Sequence, residues 1–110
     1  MSTNLIATLT FANSGGPATV NSTTVNVTQY VTNYFGFLVL GDIGGGTLRI
    51  LAGDETDLAE MRGGPASTSS YIPGAGLFEV RVVCDVLGLR INAATDSSGT
   101  VKVFAKQRTS

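Results

Sequence analysis

Leu5-Ile6-Ala7-Thr8-Leu9-Thr10-Phe11 alternates strictly, with Leu5, Ala7, Leu9 and Phe11 on one side and Ile6, Thr8 and Thr10 on the other. A period of two is the signature of a half-buried β-strand, and it predicts that the first set faces a core. Asn-Ser-Gly-Gly-Pro at 13–17 breaks the pattern. From 19 to 29 Thr and Val dominate, both β-branched and both suited to strands. Val20, or Val25 and Val27, are expected on the inner face there. Residues 34–40, Tyr-Phe-Gly-Phe-Leu-Val-Leu, form a nearly continuous apolar run closed by Gly-Asp-Ile-Gly-Gly-Gly at 41–46. Residues 47–52 read as the next strand, so the two are predicted to make a hairpin. Strands over 77–84, 87–93 and 100–106 complete the set, and the last two are predicted to form a hairpin through 95–99, with Gly99 supplying a positive φ.

Residues 53–76 behave differently. Asp54 is placed to cap a short helical turn over 55–61, since acidic residues favour a helix start. Gly63-Gly64-Pro65 stops it, and 66–76, rich in Ser, Gly and Pro, is a long connection whose large apolar side chains are Tyr71 and Ile72. Connections of this length in compact domains usually carry function or lie on a partner. Seven strands, frequent turn signals and one helical turn at most predict a single all-β domain over 1–110, an antiparallel β-sandwich or jelly roll.

Charged residues make up only 14% of the chain, against roughly 25% in ordinary soluble domains. Thr, Ser, Asn and Gly cover the surface instead. Seven basic against eight acidic residues give a net charge of -1, and Arg49, Arg62, Arg81, Arg90, Lys102, Lys106 and Arg108 are scattered. Nucleic acid is not expected as a partner, because phosphate binding needs clustered positive charge. Lone Cys84 has no second Cys and no His to complete a soft metal site, and its apolar surroundings in 80–87 read as those of a small buried hydrophobe. The first eleven residues lack a basic leader and no stretch approaches the ~20 apolar residues of a membrane helix. The chain is therefore expected to be made in a cytoplasm, with no membrane partner, and its two glycosylation sequons at Asn21 and Asn26 reflect Thr-rich strands.

Catalysis near neutral pH usually relies on a group that exchanges protons there, and His is absent. A glycosidase needs two carboxylates across a cleft. Asp42, Asp54, Glu55, Asp57, Glu60, Glu79, Asp85 and Asp96 are the candidates, and six of them fall in the turns at 41–46 and 95–99 or in the long connection. Asp54-Glu55-Thr56-Asp57 lacks the spaced ligands of a calcium loop, and 41–46 lacks the Lys-Ser or Lys-Thr of a phosphate cradle. Ser and Thr are plentiful, yet no base stands ready to activate one. No catalytic, cofactor-binding or metal-binding residue is therefore expected, and no cofactor. Tyr30, Tyr34 and Tyr71 are the residues from which a carbohydrate-binding module would build a stacking platform; a Tyr at the core edge with its hydroxyl in water is the plainer reading of each.

Two strands are apolar on both faces. Phe35, Phe37 and Val39 oppose Leu38 and Leu40; Phe78, Val80 and Val82 oppose Leu77 and Val83. A two-layer protein buries one face of each sheet, and 110 residues supply no third layer. Each Leu or Val left in water forgoes roughly 1.5–3 kcal/mol, and contiguous exposed patches mark interfaces. Leu38, Leu40, Leu77 and Val83, with Tyr71 and Ile72 from the long connection, are thus the candidate interface. The alternative is that residues 53–76 fold over one of these faces. A surface of Thr, Ser, Asn and Gly orders against a neighbour at low entropic cost, which suits assembly.

In its size, low charge, lack of His and Trp, and C-terminal strands Phe78-Glu79-Val80-Arg81-Val82-Val83, Gly88-Leu89-Arg90-Ile91-Asn92-Ala93 and Gly99-Thr100-Val101-Lys102-Val103-Phe104-Ala105, the chain resembles the small decoration, or cement, proteins of tailed-phage capsids. The resemblance implies a non-enzymatic virion protein, a homotrimer or another small oligomer, that binds the major capsid protein at subunit junctions and stabilises the shell. The second expectation, from another class, is the carbohydrate-binding β-sandwich module.

Overall fold

The computed structural model describes residues 2–30, 34–60 and 76–107, and all its regular structure is β: β1 Ser2–Asn13, β2 Ala18–Asn21, β3 Val25–Asn26, β4 Tyr34–Asp42, β5 Thr47–Gly53, β6 Leu58–Glu60, β7 Gly76–Arg81, β8 Val86–Ala93 and β9 Ser97–Gln107. They form two antiparallel sheets, one ordered β1-β9-β4-β7, the other β2-β8-β5-β6 with β3 also paired to β8. The core lies between them. Leu9, Phe11, Phe35, Phe37, Val39, Val80, Val101, Val103 and Ala105 of the first sheet meet Leu48, Ile50, Leu87, Leu89, Ile91 and Ala93 of the second. Burial of each such side chain stabilises by roughly 1.5–3 kcal/mol.

The pairing is nested. β5 pairs with β6, β4 with β7, β2 and β3 with β8, and β1 with β9. Two further pairings, β9 with β4 and β8 with β5, close the sheets. Both expected hairpins are therefore corrected. β4 and β5 lie in different sheets, and so do β8 and β9. Each link crosses from layer to layer because both of its strands carry an apolar inner face, and pairing side by side is only one way to bury two such faces. Gly99 has no positive φ; it lies inside β9 opposite Gly41, where a Cβ would fall 2.2 Å from the Leu40 carbonyl oxygen. Positive φ occurs instead in the crossing at Gly44 and Gly45, and the Gly44 carbonyl accepts from the amides of Ala94 and Thr95, tying the two crossings together.

Two irregularities reset side-chain phase. In β1 the register slips between Leu5, opposite Phe104, and Ala7, opposite Val103, so Ile6 is an extra residue. Such a bulge flips everything beyond it. Ile6 and Ala7 both pack against the core, and Leu5, expected inside, is 51% exposed on the outer face. The second slip separates β2 from β3: Asn21 pairs with Arg90 but Val25 with Leu87. Across the break Ser22 donates its amide to Leu89 O, and its buried hydroxyl accepts from Leu89 N. A side chain thus carries the ladder past the extra residue, and Val20, Val25 and Val27 all reach the core.

The helical turn expected over 55–61 is replaced over 55–60 by a turn and a strand, and residue 61 lies outside the described residues. Asp54 Oδ1 does accept from the amides of Thr56 and Asp57, at 2.8 and 2.7 Å, as a cap does. Leu58 then pairs with Gly53, starting β6. The cap satisfies the same donors in a tight turn as in a helix, so the local signal does not distinguish them. The strand expected over 77–84 ends at Arg81, and its side-chain phase ends there too.

Phe37, fully buried, is expected to lower unfolding free energy by about 3–5 kcal/mol when replaced by Ala. Leu77→Thr, on the outer face, should change it by no more than about 0.5 kcal/mol. Urea unfolding at low protein concentration checks both; equal losses would contradict the assignment of faces.

Candidate functional site

Alternation on the first sheet sends a second set of side chains outward. Read across the strands, Thr8, Lys102, Leu38 and Leu77 share one row. Leu5, Phe104, Gly36 and Glu79 share the next, Thr10, Thr100 and Leu40 lie on the other side, and Tyr34 faces Arg81 beyond the Gly36 row. Leu77 is 70% exposed, Leu5 51% and Leu40 43%; Leu38 and Phe104 are half-buried. The Phe104 side chain lies 3.8 Å from the place where a Cβ on Gly36 would stand, so the ring fills the glycine's gap and levels the surface. Three exposed leucines and two half-buried apolar side chains make this a broad apolar face.

A polar corner bounds it. The Tyr34 hydroxyl donates to the Glu79 carboxylate, and the Arg81 guanidinium stands 5.0 Å from the centre of the Tyr34 ring. The bond to Glu79, with smaller contributions from desolvation and the negative charge, pushes the Tyr34 pKa up, so the phenol stays a donor. The outer face of the second sheet is different in kind. There Glu60 bridges Arg49 at 3.3 Å and Arg90 at 3.1 Å, Arg90 Nε donates to Asn21, and Thr19 donates to Asn92. Leu51 and Val86, outward on this sheet, are buried, and Leu58 on β6 is 36% exposed. Exposed leucine thus concentrates on the four-stranded sheet.

The residues predicted to form an interface divide accordingly. Leu38, Leu40 and Leu77 come together on this face. Val83 is 87% exposed but lies past the end of β7 in the connection to β8. Tyr71 and Ile72 lie outside the described residues. The sequence reading missed Leu5 and Phe104. Phe104 was legible, since Val101, Val103 and Ala105 fix the opposite phase; Leu5 was not, because nothing in 5–11 announces the bulge.

Two of the eight carboxylates, Asp42 and Asp96, reach one open cleft of about 420 Å³ at the end of the sheets, together with Asn13, Ser14, Ser97 and Ser98. Both are tied to backbone. Asp42 Oδ1 accepts from the Gly44 amide, and Asp96 Oδ1 accepts from the amides of Gly15 and Gly16 at 2.9 and 3.0 Å. Those two amides hold the Asp96 carboxyl below the usual range, opposite to the raised pKa a general acid needs. Ser97, at the cleft wall, has a buried hydroxyl with no hydrogen-bond partner. Among the described residues no three Cys, Asp or Glu side chains gather as metal ligands, and no helix is long and apolar enough to cross a membrane. Burial pushes the Cys84 thiol pKa up, and its side chain packs on the core. Tyr30 packs on the core with its hydroxyl accepting from Gln29, far in role from Tyr34.

No protein-family model matches the sequence, and no curated protein or solved structure matches it.

Because its folded pKa is depressed, Asp96 contributes stability that is present above the unfolded carboxylate value of about 3.9 and is lost as pH falls through the folded value. Asp96→Ala is therefore expected to be less stable than wild type at pH 7, with the gap closing below about pH 3–4. Thermal unfolding across pH 2–7 checks this; a gap that persists unchanged to pH 2 contradicts it.

Proposed function

We propose that this chain is a virion structural protein, a capsid decoration protein that stabilises a shell through apolar contact between subunits, and that its fold is a jelly roll. The observation that carries the reading is the leucine-bearing outer face of the four-stranded sheet. Water is a poor final environment for Leu5, Leu40 and Leu77 on one sheet face, and protein surfaces that hold such a patch are usually covered in the working assembly.

The fold supports the same reading. With β2 and β3 counted as one bulged strand, the pairs β1–β9, β2/β3–β8, β4–β7 and β5–β6 are those of one long hairpin, folded at the turn of Asp54 to Asp57 and wrapped so that β9 meets β4 and β8 meets β5. That nesting supports the jelly-roll reading, an architecture used by viral capsid proteins and by lectins. Fold alone does not choose between those uses. What favours the capsid reading is that a sugar platform needs aromatic rings side by side, whereas among the described residues Tyr30 packs on the core and Tyr34 is engaged by Glu79 and Arg81. A leucine face suits protein. On this proposal the major capsid protein is the shell partner, the virion is the location, copies of the chain associate with one another, and no chemical step is catalysed.

In density-gradient fractions of material that contains the native chain, an antibody to the purified protein should find it with virion-sized particles. The double variant Leu38→Asp/Leu77→Asp, folded by circular dichroism, should remain in the free-protein fractions. Wild-type chain found only as free protein contradicts the proposal.

A further inference from the structure

Three of the four sheet edges among the described residues are blunted against strand pairing. β1 carries the bulge at Ile6, and farther along its edge the Thr10 amide donates to the Thr23 hydroxyl while the Thr10 carbonyl accepts from the Thr23 amide. The β2/β3 edge is broken at Ser22, and β6 has three residues. Such devices keep an edge from templating another strand. The fourth edge, β7, has none of them: its six residues include no Pro and hold unbroken register with β4.

Thr10 also fixes which backbone groups β7 leaves open. Its amide and carbonyl both point away from β9, and alternate residues of an antiparallel ladder face alternate neighbours. Thr100, opposite Thr10, therefore turns its own groups toward Leu40. Carried across β4 in unbroken register, the alternation bonds Gly76, Phe78 and Val80 to β4 and aims the amides and carbonyls of Leu77, Glu79 and Arg81 outward. Past β7 the pattern of burial continues, with Val82 and Cys84 packed on the core and Val83 87% exposed. Asp85 then turns to the other sheet, donating its amide to the Gly53 carbonyl.

We propose that a second copy of this chain pairs with this edge, antiparallel about a two-fold axis perpendicular to the sheet, with Glu79 opposite the other copy's Arg81. The edge is complementary to itself. Leu77, Glu79, Arg81 and Val83 are all exposed, and their order, apolar, anion, cation, apolar, meets its own reverse with every position matched. Each Glu79 faces an Arg81 and each Leu77 faces a Val83, twice per dimer. Sliding by two residues opposes Glu79 to Glu79 or Arg81 to Arg81, which is unfavourable. Neither charge has an ion-pair partner among the described residues. Tyr34 holds both in place, bonded to Glu79 Oε2 and lying 5.0 Å from the Arg81 guanidinium, and leaves Oε1 for the other copy. Val83, which stands off the leucine face, gains a partner here. Main-chain hydrogen bonds carry such a junction and the side chains set its register, so the dimer is expected to be weak and to dissociate on dilution. It leaves the leucine face uncovered, and the axis puts both leucine faces on the same side of one eight-stranded sheet.

Light scattering coupled to size-exclusion chromatography, over a dilution series, tests the pairing. The expected mass at high concentration is twice 11.3 kDa. Glu79→Lys and Arg81→Glu should each weaken dimerisation by about 10-fold or more, and the double exchange should return it to within about 3-fold of wild type, because both pairs are remade with their signs reversed. Where these variants misfold through loss of the Tyr34 contacts, cross-linking reads the register directly. In a Cys84→Ala background, a mixture of Leu77→Cys and Val83→Cys chains should be joined by a short bismaleimide, since opposed Cβ atoms lie about 5.5 Å apart. Either variant alone should not, because six residues of strand, about 20 Å, separate its two copies of the thiol. A monomer at all concentrations, a trimer, a double exchange no better than the single ones, or single variants that cross-link as well as the mixture each overturns the pairing. A monomer that still associates with particles through Leu38 and Leu77 overturns the pairing and leaves the virion reading intact.

Discussion

A sheet has two faces, and a molecule of two layers hides one of them. That constraint governs this protein. β4 spends Phe35, Phe37 and Val39 on the core, where they are almost fully buried, and still carries Leu38 and Leu40 on its other side. Its neighbours repeat the arrangement, with Val80 inside and Leu77 outside on β7, and Val101, Val103 and Ala105 inside and Phe104 outside on β9. The apolar area that remains outside is contiguous because the register puts Leu38 between Lys102 and Leu77, and Gly36 between Phe104 and Glu79. Packing on one side and pairing across strands together create the surface on which the functional proposal rests.

The opposite sheet resolves the same constraint differently. Its outward positions hold Arg49, Arg90, Glu60, Asn21, Thr19 and Asn92, which bond to one another. Ion pairs this exposed add little stability; their consequence is a wettable face. The molecule is therefore two-sided, with exposed leucine on one outer face and paired charged and polar groups on the other. The acidic groups elsewhere act on the backbone. Asp54 caps the turn into β6 and Asp96 holds the Gly15–Gly16 link, where positive φ at both glycines turns β1 toward β2.

Much of this was legible in the sequence. Alternation in 5–11, β-branched composition in 19–29 and apolar runs bounded by turn residues further on marked strands, and the doubly apolar runs at 34–40 and 77–83 marked the outer leucines. What alternation does not encode is partnership. The turn-rich segments at 41–46 and 95–99 look like hairpin turns, yet both cross between sheets, because pairing is decided by where distant strands bury their inner faces. Nor does alternation encode a bulge. The extra residue at Ile6 exchanges the fates of Leu5 and Ile6 and adds Leu5 to the outer face, and Ser22 disguises the break between β2 and β3 by lending its hydroxyl to the ladder. The short β6 escaped because the Asp54 cap serves a turn and a helix start equally well.

The central claim is that protein covers the leucine face in the assembled state. Hydroxyl-radical footprinting read by mass spectrometry tests it residue by residue, comparing particle-bound protein with free protein. The account predicts that oxidation of Leu5, Leu40 and Leu77 falls on assembly while that of Leu58, on the other sheet, is unchanged. Equal labelling of Leu5, Leu40 and Leu77 in both states contradicts it.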